Sequence, residues 1–97
     1  MKALSLRQPY ASLVAIGNKT IETRYWATSH RGELLIVSSK GKIYKDVPYH
    51  GLFNLKLPFG MALATVELID CRPMRKEDEK SAMIPYDSLL FHQVTPI

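Results

Sequence analysis

Apolar and polar positions alternate along some stretches of this chain and recur every third or fourth residue along others, and the switches between the two rhythms mark its elements. Residues 1–6 read as a short strand. Pro9 then stands where a first helical position tolerates a missing N–H, and Tyr10, Leu13 and Val14 follow at the i, i+3, i+4 spacing of one helical face. Gly17 is placed to end that helix in a left-handed cap. About two turns form, too few to persist without a sheet to pack on.

Residues 20–26 combine β-branched and aromatic side chains with alternating charge, the pattern of a strand. Ile21, Thr23 and Tyr25 would share one face, and Glu22, Arg24 and Trp26 the other. A turn near His30, Arg31 and Gly32 leads into the continuous apolar run 34–37, which suits a fully buried strand. Residues 39–60 are punctuated by Gly41, Pro48, Gly51, Pro58 and Gly60 and read as a long, basic, partly helical loop, either functional or a surface excursion. Its aromatics, Tyr44, Tyr49, Phe53 and Phe59, stack on bases or, more simply, cover one end of the fold. Residues 61–71 give the clearest strand, with Ala62, Ala64, Val66 and Leu68 on one face and Leu63, Thr65, Glu67 and Ile69 on the other. The alanines leave room for a ligand or for bulky neighbours, core packing being the plainer use. Residues 76–80 read as a solvated helical turn, and the tail 85–97 has a helical-looking centre at Leu89, Leu90 and Phe91. The expected class is α+β, in a single domain over residues 1–97.

A chain of 97 residues supports one core, and 46% hydrophobic with 23% charged residues is ordinary for a folded soluble domain. Cys71 is the only cysteine, so no intramolecular disulfide forms, and the spacing of Cys and His fits no zinc site. No metal or cofactor is expected. No apolar run approaches the roughly 18 residues of a membrane span and no signal-peptide pattern opens the chain, so a cytoplasmic location is expected by default. The net charge of +4 favours a polyanionic partner. Its distribution says more: residues 1–60 carry nine Lys and Arg against three acids, and residues 61–97 four against six.

The basic half holds the densest chemistry, Gly17-Asn18-Lys19-Thr20-Ile21-Glu22-Thr23-Arg24-Tyr25-Trp26. On a strand, Glu22 and Arg24 stand about 7 Å apart on one face with Trp26 continuing the line, while Lys19 lies in the preceding turn, where its stem swings over the carboxylate. Arg and Lys clamp phosphate and an indole stacks on a base. A carboxylate beside two cations orients them, accepts hydrogen bonds from a base edge or a 2′-hydroxyl, or takes a proton. On spacing alone the preferred reading is structural, a surface ion-pair ladder with Trp26 in the core. Gln8 caps the helix or bonds a base edge, the cap being the simpler role.

The opening Ala3-Leu4-Ser5-Leu6-Arg7-Gln8-Pro9-Tyr10-Ala11-Ser12-Leu13, the G-x-K-x-x-E-x-R core, the aromatic pair Tyr25-Trp26, the segments Arg31 to Ile36 and Ser38 to Lys40, and the strand Ala62 to Cys71 together resemble the ASCH domain, a family of the PUA-like group. The resemblance implies a small PUA-like β-barrel with one or two short helices, and a ligand cleft lined by Lys19, Glu22 and Arg24 that takes RNA or a nucleoside or nucleotide. Trp26 joins that set as a stacking surface, and Arg7 and Ser38 as neighbours by family analogy.

Two departures qualify the resemblance. One enzymatic branch, the N4-acetylcytidine amidohydrolases, uses a Lys, a Thr three residues later and a distant Glu, whereas Glu22 stands three after Lys19 here. Fuller-length relatives also continue into a last strand with a Gly-and-Trp segment. A chain stopping at Ile97 leaves an open barrel edge, an edge covered by another chain, or a shortened sequence, and a homodimer through that edge is expected. Three functions stay open: an RNA- or nucleotide-binding module; a hydrolase of RNA or a modified nucleoside with Lys19 and Glu22 as acid–base pair; and a non-catalytic interaction domain in which the motif is structural.

Overall fold

The computed structural model describes residues 2–40 and 58–96, with side chains described as far as Phe91. Most of the loop expected over 39–60, with Tyr44, Tyr49, His50 and Phe53, lies outside the described residues. Among the described residues four strands, β1 (Lys2–Leu6), β2 (Gly32–Ser38), β3 (Ala62–Pro73) and β4 (Phe91–Pro96), hydrogen-bond in chain order into one mixed sheet. β1 runs parallel to β2, with Leu4 opposite Ile36, and the other two pairs are antiparallel. Helix α1 (Tyr10–Ala15) crosses from β1 to the segment before β2, and a 3-10 turn (Lys76–Asp78) runs into α2 (Glu79–Ala82) between β3 and β4. The class is α+β.

The sheet is open. Among the described residues β1 and β4 are its edges and no ladder joins them into a barrel. What lies between is the segment of residues 19–26, and it is not the strand its alternation suggests. Its contact with β4 is a single bridge, in which Arg24 N–H donates to Phe91 O at 2.9 Å and Phe91 N–H donates to Arg24 O at 2.7 Å. Its contact with β1 is one side-chain bond, Arg24 Nη2 to Ser5 O at 3.0 Å. Earlier in the segment, the Thr20 and Ile21 N–H groups both donate to Ser81 O, at 2.9 and 3.2 Å. A backbone pinned at two separate points has no ladder to propagate, whatever the β-propensity of its residues.

α1 begins as its sequence suggests, one residue later than expected, with Pro9 as the N-cap. Gln8 is fully buried and takes the capping role: its Oε1 accepts from Ser12 N–H at 3.0 Å, and its Nε2 donates to Ser12 Oγ at 2.9 Å and Pro58 O at 2.7 Å. At the other end Gly17 has φ 86°, with Gly17 N–H bonded to Val14 O and Asn18 N–H to Leu13 O. That pair of bonds is a Schellman motif, which needs a residue at ease in the left-handed region. It turns the chain sharply enough that Lys19 N–H also reaches Leu13 O, at 3.0 Å.

The main core lies between α1 and one sheet face, where Leu6, Ala11, Val14, Leu34, Ile36, Val66 and Leu68 form one buried cluster. Among the described residues only this face is so covered. The run 34–37 is therefore buried alternately, at Leu34 and Ile36, with Leu35 and Val37 half-buried, rather than throughout as its composition suggests. Along β3 the expected alanine face is broken by a bulge: Ile36 opposes Ala64 but Val37 opposes Ala62, so Leu63 is an extra residue. Leu63 packs against the core while Ala62 is exposed. A second cluster, Ile21, Met74, Ala82 and Leu90, sits under α2.

The tail from Phe91 is a strand, not the helix its three apolar residues suggest, because β3 runs on to Pro73 and offers its edge for pairing. The segment 76–80 is helical as expected but not fully solvated, since Asp78 is buried. No helix among the described residues is long and apolar enough to cross a membrane.

Candidate functional site

Between the β1 edge, the turn after α1, and the bridged segment opens a cavity of about 630 Å³, within the roughly 300–1,000 Å³ common for small-ligand sites. Arg7, Lys19, Glu22, Arg24, Tyr25 and Trp26 all line it. Five of the six residues named from the sequence as ligand contacts are thus brought together. The sixth, Ser38, is buried and absent from the lining; its Oγ accepts from Met61 N–H at 3.1 Å and donates to Met61 O at 3.3 Å. Its neighbour Ser39 lines the cavity instead.

Lys19 is 1% exposed, and its Nζ donates to Ala82 O and lies 4.9 Å from the Tyr10 ring centroid. Holding an ammonium there costs hydration free energy, and burial lowers its pKa from the ordinary lysine value; the Glu22 charge opposes that shift and the Arg24 charge adds to it. The cation is offset by the carbonyl of Ala82, the last residue of α2.

Glu22 is 5% exposed; its Oε1 accepts from Thr23 N–H at 2.8 Å and its Oε2 has no partner. Among the described residues no ion pair joins Glu22 to Lys19 or Arg24. The ion-pair ladder that spacing alone suggests is therefore absent, because residues 19–24 are too irregular to set their heads in a row. The lysine stem does not swing onto the carboxylate but runs to Ala82.

Arg24 spans the gap between the sheet edges: its backbone bridges to Phe91, its Nη2 donates to Ser5 O, and its Cζ lies 5.5 Å from the Trp26 ring centroid. Trp26 is 58% exposed and Tyr25 68%, so neither belongs to the core. An exposed indole facing a guanidinium leaves a planar apolar surface beside a cation, which suits an aromatic anion or a base with its phosphate.

Among the described residues three buried side-chain atoms lack a hydrogen-bond partner, Glu22 Oε2, Arg24 Nε and Ser39 Oγ, and all three belong to residues of the cavity lining. Sequence reasoning missed Ser39, along with Tyr10 under the lysine and the apolar wall at Leu4, Ile84 and Leu90. The burial alternation of β2 could have pointed to Ser39, since it turns Ser38 inward and leaves the next residue free to face elsewhere. Nothing in the local pattern places Ile84 or Leu90 opposite β1. No cluster of His, Cys, Asp and Glu suited to a metal ion occurs among the described residues.

The family model described as ASCH domain matches residues 4–94. The chain belongs to the ASCH domain family. Among curated relatives, this ASCH domain is 35% identical over 101 residues to Activating signal cointegrator 1 of Mus musculus, the match covering 88% of the chain and 17% of that protein. The Homo sapiens Activating signal cointegrator 1 is 34% identical over 101 residues, again with 88% of the chain and 17% of the relative covered. The ASCH chain thus spans under a fifth of the length of these relatives, and the likeness concerns one region of each.

Proposed function

We propose that this ASCH domain binds RNA or a nucleotide in the cavity beside β1. One observation carries the reading: Lys19, Glu22, Arg24 and Trp26, all from one motif, line the same hollow as Arg7. The positive field of Arg7, Lys19 and Arg24 offsets phosphate charge, and the exposed faces of Trp26 and Tyr25 offer stacking worth about 1–3 kcal/mol per base. Trp26 is the only tryptophan of the chain, so its emission reports occupancy. Titration with short single-stranded RNAs and a nucleotide panel is expected to change that emission saturably, with affinity falling as salt rises. No response to any RNA, nucleotide or nucleoside would refute the reading.

A second reading, hydrolysis of RNA or of a modified nucleoside with Lys19 and Glu22 as acid–base pair, is supported by the lowered pKa of Lys19. Against it, the Lys19 head is bonded to Ala82 O. Turnover of N4-acetylcytidine or single-stranded RNA that is lost in a folded Lys19→Ala variant would favour catalysis; turnover that survives would exclude this pair.

A further inference from the structure

We infer that the inner part of the cavity takes the hydrogen-bonding edge of a neutral, unpaired nucleobase, with Ser39 as one of its contacts, and that phosphate stays at the mouth. This deepens the binding reading above and rests on it.

Native proteins leave few buried polar atoms without partners. Here Glu22 Oε2, Arg24 Nε and Ser39 Oγ are all orphaned, and all belong to residues lining one cavity. Their chemistry is complementary. A carboxylate oxygen accepts, a guanidinium Nε–H donates, and a hydroxyl does either. A ligand that satisfies the set presents at least one donor and one acceptor together.

Phosphate supplies acceptors only, so it would leave Glu22 Oε2 unsatisfied and bring a second negative charge toward a carboxylate that is 5% exposed. An ammonium satisfies Glu22 but meets Arg24 and the buried Lys19. A planar amide-like edge, with N–H beside C=O or a ring nitrogen, satisfies both without adding charge. Nucleobases carry that edge, and it is free only in a base that is not paired. Trp26 and Tyr25, exposed on the same cavity, then meet the base face, and the phosphate stays on the exposed side of the lining, to which Arg7 belongs.

Ser39 separates a binding role from a structural one. A buried hydroxyl without a partner weakens the free fold, so Ser39→Ala is expected to melt at or above the wild-type temperature. The same variant loses one hydrogen bond to the ligand and binds a short single-stranded RNA about 3- to 10-fold more weakly.

The experiment follows Trp26 emission for both proteins with single-stranded RNA, the same sequence as a blunt duplex, uridine, 3-methyluridine and inorganic pyrophosphate, alongside thermal melts. The expected result is that uridine binds, 3-methyluridine with its blocked N–H binds at least 10-fold more weakly, the duplex does the same, and pyrophosphate does not displace uridine. Equal affinity of wild type and Ser39→Ala, competition by pyrophosphate, or indifference to N3 methylation would overturn this inference while leaving nucleotide binding standing. Failure of the wild-type chain to bind any of the probes refutes the binding reading itself, and this inference with it.

Discussion

Asp78→Ala should damage the cavity without touching it. Asp78 is 8% exposed, and its carboxylate accepts two bonds from Arg72, Nη1 to Oδ2 at 2.7 Å and Nη2 to Oδ1 at 2.9 Å, and a third from Arg75 N–H at 2.9 Å. This fork ties the end of β3 to the turn that starts α2. Removing one partner of a buried pair costs about 3–5 kcal/mol. The Arg72 side chain is 22% exposed and keeps Asp70 at 4.0 Å, so part is recovered and a loss of about 2–3 kcal/mol is expected. At about 4–8 °C per kcal/mol for a domain of this size, Tm falls by about 10–20 °C. Ser81 O and Ala82 O hold residues 19–21, so the disturbance reaches the site. Thermal unfolding followed by far-ultraviolet circular dichroism and by Trp26 emission measures both. The same bonds hold the Asp78 pKa below its ordinary 3.8, Arg72 being the main cause. Their stabilisation is fully present above that pH and is lost as pH falls through the lowered value. A variant melting within about 4 °C of wild type at neutral pH, or keeping the wild-type acid profile, would refute this account of the pair.

Three further outcomes are expected. Because burial lowers the Lys19 pKa, the unfolded chain binds the extra proton between the lowered value and 10.5, so stability rises with pH across that window; urea melts at pH 7 and 10 should show wild type gaining on Lys19→Met, and no relative gain would contradict the shift. Glu22→Gln removes the charge that opposes burial, so the Lys19 pKa moves further down, which NMR titration of 13C-labelled lysine would read; an upward move would be inconsistent with it. Arg7→Ala removes a cation from the cavity lining and is expected to reduce the dependence of log affinity on log salt by about 0.7 for single-stranded RNA, whereas an unchanged slope would place Arg7 away from phosphate.

What the sequence made legible is what short-range geometry decides. The i, i+3, i+4 row and Gly17 mark α1 and its Schellman ending, and the alternation in 61–71 marks β3, because each depends on neighbours a few residues away. Residues 20–26 and 89–91 misled for the opposite reason. The former stretch has strand propensity but meets its partners at Ser81 and Phe91 one at a time, and the latter suggests a helix but pairs with a strand some twenty residues earlier. The motif located Lys19, Glu22, Arg24 and Trp26 in the cavity lining, since they are close in sequence as well as in space. It could not give the roles of the side chains: that Lys19 would be sealed in, that Glu22 would lack a cation partner, or that Ser39 would stand where Ser38 was expected.

The anchoring of Lys19, Thr20 and Ile21 on Ser81 and Ala82 has a practical corollary. A recombinant piece cut anywhere between Arg24 and Ser81 would retain every letter of the G-x-K-x-x-E-x-R signature yet lose the two carbonyls on which that stretch is moored. Protein engineers grafting the signature onto another scaffold would have to transplant α2 along with it.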